Sequence, residues 1–202
     1  TNIPLEIGAH FPDEGNQAPY YTEKIKPFLE NPLIGEPGIV SGENKLLLYK
    51  QAKALMFPIE WEEPFGMVMI EAMACGTPVV AYNRGSVSEI VRDGVTGFIV
   101  EPSEEDGGAL AGSPFTAHPS SPSASSPEFP STKGVTVLES TRPPAPNRLW
   151  IIKKRGIEGL VEAVARIGEI DRAACRRHVE EHFTVEKMVE GYEQVYRKIL
   201  SI

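Results

Sequence analysis

The sequence predicts an α/β fold, a parallel sheet with helices on both faces. Three observations predict it. Short apolar runs alternate with helical patterns over the first hundred residues. The runs at 54–59 and 78–82 are nearly continuous in apolar residues, as strands covered on both faces require. The chain has 202 residues and is 41% hydrophobic, enough for one domain with its own core.

Taken in order, residues 5–8 read as a strand end and 20–29 as a helix that Pro27 limits. Residues 33–35 form a short strand. Ser41 is placed to cap a helix through Lys45, Leu46, Leu47, Leu48, Tyr49 and Ala52. A strand at 54–59 is followed by a helix at 66–75, which Gly76 stops. A second buried strand spans 78–82, a short helix 86–91, an Asp93-Gly94 turn follows, and a last strand covers 97–100. These units make residues 1–106 a Rossmann-like core.

The composition then changes. From Ser113 to Thr132, Ser and Pro fill twelve of twenty positions, so this stretch has little to bury. Joining Asp106 to Gly156 gives a smooth turn and amphipathic helix. Residues 107–155 therefore read as a low-complexity, disordered insertion into a loop. A misassembled stretch and a regulatory loop are the alternatives. Within it, Trp150-Ile151-Ile152 has strand character. Residues 156–202 return as helices completing the same domain, with Ile157, Leu160, Val161, Val164 and Ile167 at helical spacing. Asp171 and Thr184 are placed to start the next two helices. The last carries Met188, Tyr192, Val195, Ile199 and Leu200 on its apolar face.

The bulk numbers exclude several functions. A formal charge of −8 argues against nucleic-acid binding and against docking on an anionic membrane. Two cysteines, Cys75 and Cys175, give neither a disulfide framework nor metal-ligand spacing, which points to a reducing, cytoplasmic setting. No apolar run approaches the roughly 18 residues of a membrane span. The opening Thr1-Asn2-Ile3-Pro4 reads as the start of a fragment or a processed chain. His178 and His182 stand four apart, a spacing that can hold zinc; without a third ligand they read as a solvated helix face.

The most informative stretch runs from Glu63 to Glu71. Two carboxylates stand eight positions apart, with a Pro64-Phe65-Gly66 turn after the first. Glu71 is the one charged residue between Gly66 and Gly76. An ionised carboxylate in apolar surroundings is costly unless paired or hydrogen-bonded, so a protein donor or a ligand hydroxyl must answer it. Parallel sheets bind ligands at the carboxyl ends of their strands. There, the amides of Gly66, Met67 and Val68 lack intrahelical partners and suit a phosphate. Glu71, about a turn and a half further on, suits the diol of a ribose, and Glu63 at the mouth suits sugar hydroxyls. Diol, diphosphate and hexose in a row describe a nucleotide-diphosphate-sugar. Glu62 reads as a solvated loop acid and Trp61 as a lid or packing residue.

Glu63-Pro64-Phe65-Gly66 with Glu71, continuing Ala72-Met73-Ala74-Cys75-Gly76-Thr77-Pro78-Val79-Val80-Ala81, closely resembles the donor-binding domain of glycosyltransferase family 4. These are the retaining "group 1" transferases of the two-domain GT-B fold. The tracts 84–91 and 93–98 resemble the same family, and residues 156–200 resemble its closing helices.

The resemblance implies a hexosyltransferase that uses a UDP-, GDP- or ADP-hexose, with retention and no metal or other cofactor. Glu63 would serve at the reacting sugar. Phe65, Gly66 and Met67 would approach sugar and diphosphate through their backbone. Val68 would add a diphosphate N–H, and Glu71 would hold the ribose. The family's diphosphate-clamping Arg and Lys and its acceptor domain precede the point where this sequence starts, so a separate N-terminal chain is an expected partner. The alternatives are a non-catalytic donor-binding subunit, an inactive fragment of a split transferase, and a GT-B nucleotide-sugar epimerase. Hexose, base and acceptor are not encoded in visible side chains.

Overall fold

The computed structural model describes residues 3–9, 18–103 and 150–200. The expected insertion lies outside the described residues except for its last six positions.

The α/β class holds, but among the described residues the parallel strands fall into two sheets rather than one. β1 (Leu5–Glu6) pairs with β2 (Ile34–Gly35) as a two-stranded ribbon. Between them, α1 (Ala18–Tyr20) continues as a wide π turn over Tyr21–Ile25 and a 3-10 turn over Lys26–Glu30. The regular helix expected here is disrupted next to Pro27, which has no N–H to give. The amide of Lys26 instead bonds back to the carbonyl of Tyr21.

The main sheet has the order β3-β4-β5, all parallel. β3 is Leu55–Phe57, β4 is Val79–Tyr82 and β5 is Gly97–Val100. Every residue of β4 and β5 is buried. Successive side chains of a strand point to opposite faces, so both faces of these strands are covered. α2 (Gly42–Gln51) precedes β3, α3 (Met67–Ala74) joins β3 to β4, and α4 (Val87–Ile90) joins β4 to β5. Ser41 stands at the α2 N-cap, but its side chain makes no capping bond.

Among the described residues, three helices follow: α5 (Gly156–Arg166), α6 (Arg172–His182) and α7 (Val185–Leu200). Asp171 caps α6 by accepting from the amide of Ala173, and Thr184 Oγ1 accepts from the amide of Lys187 at the start of α7. The core gathers Met69 and Met73 of α3, the β4 and β5 side chains, Val87 and Ile90 of α4, Ala163 of α5, and Cys175 and Val179 of α6. Fully burying each such methionine contributes about 1.5–3 kcal/mol. α7 contributes no buried residue.

Two expectations for the later chain change. Trp150, Ile151 and Ile152 form no strand. Trp150 and Ile152 pack into the core, the Trp150 indole donates to Glu101, and the Ile151 amide donates to Asp93 Oδ2 at 2.7 Å. His178 is not on a solvated face: it is 6% exposed, and its Nε2 lies 2.9 Å from the Ile90 carbonyl. Burial lowers its pKa below the usual histidine value. His182 Nδ1 lies 3.0 Å from the His178 carbonyl. Among the described residues no group of three His, Cys, Asp or Glu is gathered to hold a metal, and no helix is long and apolar enough to cross a membrane.

Candidate functional site

The site is built where β3 gives way to α3. Gly66 enters the helix at φ 73°, a left-handed conformation that favours glycine. Glu63 closes the turn before it. Its Oε1 accepts from the Gly66 amide at 3.1 Å and its Oε2 from the Trp61 indole at 3.0 Å. The Gly66 amide, expected to be open to a ligand, is therefore already used by Glu63. The amides of Met67 and Val68, first in the helix, have no acceptor within it. Phe65 and Met67 are exposed and Val68 borders on it, so the helix end is open.

The turn after β4 clasps this loop from the side. The Ser86 amide donates to the Glu63 carbonyl at 3.0 Å, and the Ser86 hydroxyl to the Phe65 carbonyl at 2.8 Å. The Gly85 amide donates to Glu62, whose other oxygen lies 3.6 Å from Arg84 Nη1. Glu62 is thus tied to the clasp rather than merely solvated. Gly85 adopts φ 49°, and a Cβ there would stand 2.2 Å from the Glu63 carbonyl oxygen.

Glu71 has a protein answer. Lys45 Nζ donates to Oε1 at 2.8 Å, and the Tyr49 hydroxyl donates to Oε2 at 3.3 Å. The carboxylate is not sealed in the core: its side chain is 30% exposed and that of Lys45 35%. Tyr49 is buried, and burial with the adjacent Glu71 charge pushes its phenol pKa up to about 12.

α2 is held firmly at its far end. The Thr77 hydroxyl donates to the Tyr49 carbonyl, and Arg172 donates to the carbonyls of Lys50 and Ala52 at 3.0 and 2.8 Å. A cavity of about 380 Å³ opens beside Glu71, bordered by Lys45, Lys50, Cys75 and Arg176.

The expected site has Glu63 at the mouth of α3 and Glu71 about a turn and a half further on, but lacks Lys45 and Tyr49 as partners of Glu71. A signal was present. The two stand four apart on a helix, so they share one face, in an otherwise apolar run. Glu63 and Glu71 do not meet. One faces the turn and Arg84–Ser86, and the other faces α2.

Residues 36–111 match the family of glycosyl transferases, group 1. That span holds Lys45, Tyr49, the Glu63–Glu71 stretch and the Arg84–Ser86 clasp. Over 69 residues the chain is 44% identical to an uncharacterized glycosyltransferase of Methanocaldococcus jannaschii, covering 34% of this chain and 17% of that protein. Over 98 residues it is 40% identical to a D-inositol 3-phosphate glycosyltransferase of Mycolicibacterium gilvum, covering 44% and 22%. The chain thus spans about a fifth of the length of these relatives. In fold it resembles a sucrose-phosphate synthase from Thermosynechococcus elongatus, with a TM-score of 0.58 at 21% identity over 99% of this chain and 39% of that one. The likeness is to enzymes of the glycosyltransferase class with the GT-B fold.

Proposed function

We propose that this chain is the donor-binding part of a hexosyltransferase that takes its sugar from a nucleoside-diphosphate-hexose. The observation that carries the reading is the open N-terminus of α3, with one carboxylate at each side and the whole arrangement inside the segment that matches group 1 transferases. The amides of Met67 and Val68 and the helix dipole suit the diphosphate, which supports transfer without a metal. Glu71 would accept from the ribose hydroxyls. Glu63 and the backbone of Phe65 and Gly66 would face the hexose, with Glu63 nearest the reacting carbon. Transfer with retention follows from the resemblance to family 4. A facing domain would carry the acceptor, since aligning two substrates in one cleft needs two walls. Two unpaired cysteines, Cys75 and Cys175, suit a reducing, cytoplasmic setting.

Calorimetric titration of UDP-, GDP- and ADP-hexoses into the full chain tests this. One of them binds, and Glu71→Ala weakens it about tenfold or more, since hydrogen bonds to charged groups contribute roughly 1.5–3 kcal/mol. No binding to the full chain at millimolar concentration refutes the reading. Equal binding by Glu71→Ala refutes the ribose assignment.

A further inference from the structure

The geometry points to Lys45 and Tyr49 as positioning residues that aim Glu71 at a ribose diol, making α2 a wall of the donor site. This rests on the proposed nucleotide-sugar reading and specifies how that site recognises its nucleoside.

A carboxylate offers about four acceptor positions, two on each oxygen. Lys45 fills one on Oε1 and Tyr49 fills one on Oε2. One position remains on each oxygen, on a group that is 30% exposed and borders a cavity. Two adjacent hydroxyls match that remainder, each donating to one oxygen. With a single protein donor, the carboxylate could turn about its last bond and offer both free positions from one oxygen. With two donors from one helix face, its plane is fixed.

The two donors differ in rigidity. Tyr49 is a buried post: it is 8% exposed, its own carbonyl is held by Thr77, and Arg172 holds the carbonyls of Lys50 and Ala52 beyond it. Lys45 stands one turn nearer the start of α2, half-exposed, with a long flexible stem. Tyr49 therefore fixes the carboxylate while Lys45 balances its charge. That balance matters because the expected diphosphate binds about a turn and a half away along α3, where an unpaired carboxylate would repel it. A mere staple between α2 and α3 would need neither the exposure nor the adjoining cavity.

The test pairs variants with analogues in calorimetric titrations of the full chain. The probes are the ribonucleoside diphosphate that binds best and its 2′,3′-dideoxy counterpart. Tyr49→Phe weakens the ribonucleotide about tenfold and the dideoxy compound by less than about twofold, because a misaimed Glu71 loses about one charged hydrogen bond to the diol. Lys45→Met, which also leaves the Glu71 charge unbalanced, weakens both, the ribonucleotide by about tenfold more. Lys45→Arg retains most of the affinity. Neither change has further effect when added to Glu71→Ala, as expected of residues acting through one group.

Thermal unfolding accompanies each variant, and Tyr49→Phe with Lys45→Arg carry the test if Lys45→Met does not fold. Equal losses for both nucleotides, or unchanged binding of the ribonucleotide by Lys45→Met and Tyr49→Phe, overturn the inference while leaving the donor-binding reading intact. A full chain that binds no ribonucleoside diphosphate overturns both.

Discussion

Gly85 and Gly66 both adopt left-handed conformations beside Glu63, yet substituting them should have different consequences. A left-handed backbone costs an L-residue roughly 1–2 kcal/mol. At Gly66 an added methyl would lie 2.5 Å from Met69 Cε, with Glu63 Cγ at 3.4 Å. The nearest atom is the tip of a flexible side chain, so Gly66→Ala costs little beyond the backbone strain. At Gly85 the same methyl would lie 2.2 Å from the Glu63 carbonyl oxygen and 2.5 Å from its nitrogen. Backbone atoms cannot turn aside, and forced displacement adds about 1–3 kcal/mol, for a total of roughly 2–5 kcal/mol. For a chain of this size that corresponds to a fall in Tm of roughly 6–15 °C, against about 3–6 °C for Gly66→Ala. Differential scanning fluorimetry measures both. The indole of Trp61 donates to Glu63, so the displaced loop should also alter tryptophan emission in Gly85→Ala. If Gly85→Ala is no less stable than Gly66→Ala and its emission matches the parent, the clasp does not hold the Glu63 loop.

Three further outcomes follow from the same geometry. Thr77 is fully buried and its hydroxyl serves both the Tyr49 carbonyl and Arg172, so Thr77→Val costs about 1–3 kcal/mol in urea unfolding by stranding those groups. The Tyr49 pKa is raised from 10.0 to about 12 in the folded chain, so its contribution is present below pH 10 and lost as pH rises through 12. Unfolding midpoints at pH 9 and 11 should therefore fall less in Tyr49→Phe than in the parent. The pKa of His178 is lowered in the folded chain from 6.5, so the unfolded state takes up protons first and stability declines as pH falls below 6.5. Melting curves between pH 7.5 and 5 should show a shallower decline in His178→Gln.

The parts of this architecture that were legible in the sequence are those fixed by local pattern. β5 sits where its apolar run placed it, and α3 ends at the glycine that stops it. Glu63 and Glu71 were visible because charge stands out beside Pro-Phe-Gly and within Met-Val-Met-Ile. What stayed hidden depends on contacts distant in sequence. Lys45 lies 26 residues from Glu71, and the Arg84–Ser86 clasp lies more than twenty residues from the loop it grips. His178 looked polar and solvated, but α6 packs against α3 and its ring reaches the Ile90 carbonyl. The split into two sheets was equally invisible, because two-residue strands such as β1 and β2 carry too little pattern to declare which neighbour they pair with.

These long-range pairings also change the electrostatics of the site. Read from sequence, Glu62, Glu63 and Glu71 crowd three negative charges around a position meant for a diphosphate. In the folded chain Lys45 lies 2.8 Å from Glu71, and Arg84 lies 3.6 Å from Glu62. Glu63 alone keeps a charge without a cationic partner among the described residues, answered by the neutral donors Gly66 and Trp61. At an effective dielectric of about 20, two like charges 8 Å apart repel by roughly 2 kcal/mol, so offsetting two of the three removes much of the barrier to a dianion. The buried Arg84 Nε has no hydrogen-bond partner among the described residues. Arg84 is therefore a cation whose donors are not all used by Glu62, beside the loop where the hexose would lie. The acidic look of this segment is thus compatible with an anionic ligand, because α2 and the turn after β4 each bring one positive charge to it.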